Sequence, residues 1–169
     1  MKYFYDTEFI EDGKTIDLIS IGIVAEDGRE YYAISTEFDH RKAEQNQWVL
    51  ENVLRKLPNK ISMYWKTREQ IRKDILEFIG EDTPEFWAYY ADYDHIALCQ
   101  LFGTMMDLPE GWPMYTRDLK QLVDSFDCPK LPTQDKNEHH ALADARWVKE
   151  AHEFATAKQS DQPNQQRTG

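Results

Sequence analysis

An α/β fold built on a mixed sheet of about five strands is what this sequence predicts, and three observations carry it. The first 36 residues hold three β-rich stretches separated by turn chemistry. Helical periodicities then alternate with two further strand-like runs. The chain has 169 residues, 41% of them hydrophobic, which suits one domain around a single core.

Taken in order, "KYFYDTEFI" (2–10) is aromatic-rich and reads as a strand. "EDGKT" (11–15) turns the chain into "IDLISIGIVAE" (16–26), β-branched and apolar with Gly22 inside it. "DG" at 27–28 leads into "REYYAIST" (29–36), a hairpin signal, so the first three strands are expected to be antiparallel. Trp48, Val49, Leu50, Val53, Leu54 and Leu57 recur at helical spacing and predict one helix over 43–57, stopped by Pro58. Thr67 and Gln70 form a capping-box pattern for a helix through Ile79, with Gly80 as its stop. "PEFWAYYA" (84–91) reads as a buried strand, 93–103 as a helix ending at Gly103, "MYTRD" (114–118) as a short strand and 119–126 as a helix. "CPKLPTQDKNE" (128–138) is a mobile loop by composition. A last helix is expected from about His139 to Ala157, giving one domain over 1–157 and a disordered polar tail over 158–169.

Composition narrows the function classes. No apolar run reaches the length of a membrane span. Asp6 and Glu8 interrupt the N-terminus too early for a signal peptide, and Cys99 and Cys128 form no CxxC, so a reduced cytoplasmic setting is expected. A net charge of −11 argues against a protein that coats long nucleic acid. It is compatible with carboxylates gathered around divalent cations. The segment 55–73 departs from this balance: Arg55, Lys56, Lys60, Lys66, Arg68, Arg72 and Lys73 stand against Glu69 alone, a patch suited to a short anionic ligand.

The carboxylates carry the chemistry. Asp6 and Glu8 are two apart on a predicted strand and share one face, with Tyr5, Thr7 and Phe9 on the other. Like charges so placed repel unless a cation sits between them. Asp92 and Asp94 fall at the end of a strand just before a helix, where an Asp can cap helix N–H groups or face a ligand. In "HHALADA" (139–145), His140 shares a helix face with Asp144 if both lie in the helix. If His139 lies in the entering loop, it can swing over the site that Asp144 faces. Hard divalent cations prefer oxygen ligands, a pair of them can clamp an in-line phosphoryl displacement, and a histidine can take the proton of the attacking water.

The Asp-x-Glu of "DTEF", the "YD" at 93–94 and the His-x-Ala-x-x-Asp of "HHALAD" resemble the three motifs of DEDDh 3′–5′ exonucleases, the group of ribonuclease T and oligoribonuclease. The opening "KYFYDTEFIEDGKTIDLISIG" looks like the small actinobacterial and phage-type exoribonucleases of that superfamily. The resemblance implies a ribonuclease H-like fold, two Mg²⁺ ions for which Mn²⁺ can substitute, a homodimer, and action on RNA 3′ ends with AMP favoured. It carries Asp6, Glu8, Asp94 and Asp144 onto the four acids and His139 onto the general base. Asp94 is preferred to Asp92 because Tyr93 supplies the aromatic of the second motif, and His140 takes the unspecified place beside His139. Asp6, Glu8 and Asp144 are implied to hold the ion that activates water, with Asp6 reaching the second ion and Asp94 its water shell. Thr7, near the ribose, and Phe9, against the terminal base, are the expected substrate contacts. A DNA exonuclease, a non-catalytic nucleic-acid-binding domain and a metal phosphatase are the rival readings.

Overall fold

The computed structural model describes residues 1–126, 128, 130–134 and 138–161. Three antiparallel strands form its centre: β1 (Lys2–Glu11), β2 (Ile16–Ala25) and β3 (Glu30–Ser35). Parallel strands extend the sheet on both sides. β4 (Trp65–Lys66) joins β3, β5 (Glu85–Ala88) joins β1, and β6 (Arg117–Asp118) joins β5, giving the order β4-β3-β2-β1-β5-β6. This is the mixed sheet flanked by helices that a ribonuclease H-like fold requires. It has six strands rather than about five, because β4 is two residues long and shows no period of its own.

The helices are α1 (His40–Gln45), α2 (Gln47–Asn52), α3 (Arg68–Ile79), α4 (Asp92–Phe102), α5 (Leu119–Asp124) and α6 (Ala141–Asp161). On one face of the sheet, Tyr3, Tyr5 and Ile23 pack with Ile71, Ile75 and Ile79 of α3 and Ala97, Leu98 and Leu101 of α4. On the other, Phe4 and Trp87 meet Val148, Ala151 and Ala155 of α6. Ile10, Ile19 and Ile34 meet Ala43, Val49 and Val53 of the α1–α2 region.

Several boundaries differ from the sequence reading. The single helix expected over 43–57 is broken at Asn46, whose backbone is extended (φ −85°, ψ 102°) and whose side chain accepts the N–H of Val49. A short polar side chain offering a local bond starts a new helix where periodicity alone continues the old one. The pattern still identifies Val49 and Val53 as buried, but a 3-10 turn (Leu54–Lys56) replaces the last helical turn. The last helix begins at Ala141, after both histidines, and runs to Asp161, four residues into the expected tail. Residues 162–169 lie outside the described residues, as do parts of the loop 128–138. The capping box of Thr67 and Gln70 forms as expected, with Gly80 (φ 66°) closing α3. No described helix is long and apolar enough to cross a membrane.

Candidate active site

β5 accompanies β1 only from Lys2 to Phe4. Beyond that point the free edge of β1 offers backbone groups that need partners. Asp94, in the first turn of α4 and 5% exposed, supplies one. Its Oδ1 accepts the backbone N–H of Thr7 at 2.8 Å and the Thr7 hydroxyl at 2.6 Å. The N-cap position of α4 is Ala91, so neither Asp92 nor Asp94 is the capping residue. Asp92 is exposed and stands apart from the cleft that Asp94 lines.

The opposite wall comes from α6, and a glycine admits it. Gly22 is the cross-strand partner of Asp6, and a Cβ built there would lie 2.3–2.4 Å from the backbone of Ala141 and Leu142. Only a residue without a side chain lets the first turn of α6 sit on β2 at this point. Asp144 is thereby brought beside Glu8. Just past Glu8 the β1–β2 register slips from Glu8–Ser20 to Phe9–Leu18, a bulge of the kind that re-aims side chains next to functional sites.

Asp6, Thr7, Glu8, Phe9, Asp94, His139 and Asp144 all line one cleft of about 280 Å³. Among the described residues, ligand atoms of Glu8, His139 and Asp144 lie within 4.8 Å of one another. Asp6 and Asp94 are outside that trio but inside the same cleft. His139 precedes the helix with φ 65°, the left-handed region that costs a side-chain-bearing residue strain. The conformation directs its backbone N–H to Asp144 Oδ2 at 2.8 Å, and the Gln134 amide donates to the other oxygen. The His139 ring meets Trp48 edge-on, with centroids 4.7 Å apart. His140 points elsewhere, stacked on Tyr32 at 4.6 Å.

Burial dominates the electrostatics, and like charges add to it. Burial and the charges of Asp94, Glu8 and Asp144 push the Asp6 carboxyl well above the usual range. Burial, then Asp144 and Asp94, raise Glu8 to about 8, against a small opposing pull from Lys56. Burial raises Asp94 to about 6 despite its two bonds from Thr7, and burial also raises Asp144. Mostly buried hard oxygens that repel one another beside an imidazole are a donor set that a divalent cation fits, since its charge reverses the repulsion.

A family model described as the 3′-5′ exoribonuclease Rv2179c-like domain matches residues 1–156. The chain belongs to that family. It is an enzyme of the exoribonuclease class. Two curated relatives from Mycobacterium tuberculosis match it: 3′-5′ exoribonuclease Rv2179c of strain ATCC 25618 / H37Rv and 3′-5′ exoribonuclease MT2234.1 of strain CDC 1551 / Oshkosh. Each is 56% identical over 149 residues, covering 86% of this chain and 88% of the relative.

Sequence reasoning did not assign Trp48, Tyr89 or Tyr90 to the site, yet all three line the cleft of this family member. Trp48 reads as a core position by periodicity and is 52% exposed. The break at Asn46 is the local signal that its helix face is not a simple continuation. Tyr90 is 63% exposed and holds φ 59°, a strained conformation for a bulky residue. Tyr93 serves in the sequence only as the marker before Asp94. In the fold it meets Phe9 edge-on at 5.7 Å.

Proposed function

We propose that this chain is a DEDDh-type 3′–5′ exoribonuclease that depends on Mg²⁺. It hydrolyses the 3′-terminal phosphodiester of single-stranded RNA or 3′ overhangs and releases 5′-mononucleotides. The convergence of Glu8, His139 and Asp144 within 4.8 Å, in a cleft shared with Asp6 and Asp94, carries this reading. Asp6, Glu8, Asp94 and Asp144 would hold two ions, with Mn²⁺ as a substitute. Bound there, the ions supply charge stabilisation to the phosphoryl oxygens and acidify water.

The remaining steps belong to the chain. His139 accepts the proton of the attacking water at its imidazole, steadied by Trp48 and by its backbone bond to Asp144. Thr7, tied to Asp94, keeps the floor of the cleft rigid beside the ribose. Phe9 and Tyr93 offer ring surfaces to the terminal base, and stacking of this kind accepts any base. The preference for AMP and the homodimer rest on the family resemblance, and the cytoplasmic setting on the cysteine pattern and the early acids Asp6 and Glu8.

The test is mononucleotide release from single-stranded RNA and DNA of one sequence, with Mg²⁺, with Mn²⁺ and with chelator. Stepwise loss of 5′-mononucleotides from the RNA 3′ end, abolished by chelator, is expected. Equal rates on DNA would move the reading to a DNA exonuclease. No release from either polymer with metal present would leave a non-catalytic domain.

A further inference from the structure

The basic segment 55–73 divides in two once folded. Lys66 pairs with Asp74, Arg68 with Asp17 and Lys73 with Glu69. Arg72 on α3 makes no ion pair among the described residues, and neither do Arg55, Lys56 and Lys60. These last three come from one 3-10 turn and the loop after it. Beside them opens a pocket of about 290 Å³ with an apolar floor that includes Phe38, Leu54 and Pro58. Arg55 and Lys60, both exposed, are part of its wall, and Glu44 is its one acid.

The pocket offers two ring surfaces. His40 and Trp65 lie nearly parallel, 26° apart with centroids at 6.2 Å, and the Lys60 ammonium sits 5.8 Å from the Trp65 centroid. Lys56 bridges this pocket to the acidic cleft. Its chain neighbours Arg55 and Leu57 line the pocket, while its own ammonium donates to the carbonyl of Glu138, the residue before His139. Its charge is also felt by Glu8.

We propose that the Phe38–His40–Trp65 pocket binds an RNA nucleotide 5′ of the one being removed, with its base against His40 and Trp65 and the connecting phosphates on Arg55, Lys56 and Lys60. The inference rests on the exoribonuclease reading and deepens it by naming what sets substrate length. Unpaired cations beside aromatic rings are the combination that single-stranded nucleic acid uses: phosphates find Lys and Arg, and splayed bases find π-faces. On a chain of net charge −11, phosphates are repelled broadly, so an unpaired cationic run leading away from the cleft defines a track for the strand.

The test compares wild type with R55E/K60E, two exposed changes whose folding is checked by melting temperature. Anisotropy of labelled single-stranded RNAs, from dinucleotide to decamer, is measured in chelator so that no hydrolysis intervenes. Wild-type affinity should rise with length. The variant should lose on the order of tenfold on the decamer and little on the dinucleotide. The slope of log affinity against log salt should fall by about 1.4, the value for two lost phosphate contacts on a single strand. Equal losses at every length, or no loss, would overturn the proposal. A change of oligomeric state without a length-dependent loss would also overturn it and place a second copy of the chain on this face. If wild type hydrolyses no RNA, the exoribonuclease reading falls, while the binding series still decides the pocket.

Discussion

Along β1, Tyr3, Phe4 and Tyr5 are at most 1% exposed, and hydrogen-bonded strands flank the first two of them on both sides. From Asp6 onward β5 is gone, the alternating positions carry carboxylates, and the same strand forms the floor of a cleft. α6 repeats the contrast. Its first turn sets Asp144 opposite Glu8, and two turns later His152 packs on Phe4. One end of this strand–helix pair is built of mutually favourable apolar contacts and the other of mutually unfavourable charges. On the proposed function, stability and chemistry are thus separated along a single strand, and substitutions at the two ends should give opposite phenotypes.

Asp6→Asn is the largest expected effect on activity. It removes a proposed ion ligand, so mononucleotide release should fall below detection. It also removes a carboxyl whose pKa is raised by burial and three neighbouring acids, which means the charged form destabilises the metal-free fold near neutral pH. Its melting temperature without metal should therefore rise by about 2–4 °C, equivalent to ~1 kcal/mol in a chain of this size. A variant that is both active and no more stable would contradict the division. Phe4→Ala should do the reverse. It should cost about 3–5 kcal/mol in urea unfolding, the usual range for a buried ring, while activity per folded molecule stays near wild type.

The histidine pair sharpens the same contrast over a single residue step. His139→Ala should lower the rate by about 10²–10⁴, the range for a general base. His140→Ala should leave the rate close to wild type and lower stability, because a stacked pair such as His140–Tyr32 contributes roughly 0.5–1.5 kcal/mol beyond its burial. Single-turnover rates and melting curves of both variants decide it. A larger rate loss at His140 would reassign the base.

Much of this is legible in the sequence alone. Alternation alone put Asp6 and Glu8 on one face, and the resemblance to DEDDh exonucleases joined them to Asp94, Asp144 and His139, all of which line the cleft. The three antiparallel strands and the capping box at Thr67 followed from short-range patterns that the fold preserves. What stayed hidden depends on contacts remote in sequence. Gly22 reads as an ordinary glycine in a strand until α6 is laid across it. Trp48 reads as core until the Asn46 break turns it toward His139. The positive φ values of His139 and Tyr90 are held by tertiary structure and have no local signature. β4 is too short to carry a period.

A last effect concerns the apolar end of α6 and is read through pH. His152 is 4% exposed, with ring centroids 5.1 Å from Phe4 and 4.4 Å from Trp87. Burial pushes it down from 6.5 to about 4, Lys2 adds to the fall, and Glu85 and Glu26 oppose it. The unfolded chain then binds this proton more readily than the folded one between those two values. Stability from the neutral ring is fully present above pH 6.5 and is lost as pH falls toward 4, by about 3 kcal/mol in all. The cleft acids act with the opposite sign: Glu8, raised to about 8, gains stability as it is protonated, so the whole protein's pH profile mixes the two ends. His152→Leu separates them. Subtracting its urea-unfolding stability from that of wild type at each pH cancels the cleft, and the difference should move steadily against wild type from pH 6.5 to 4. A difference that stays flat across that window would mean that the ring is not held neutral by its packing.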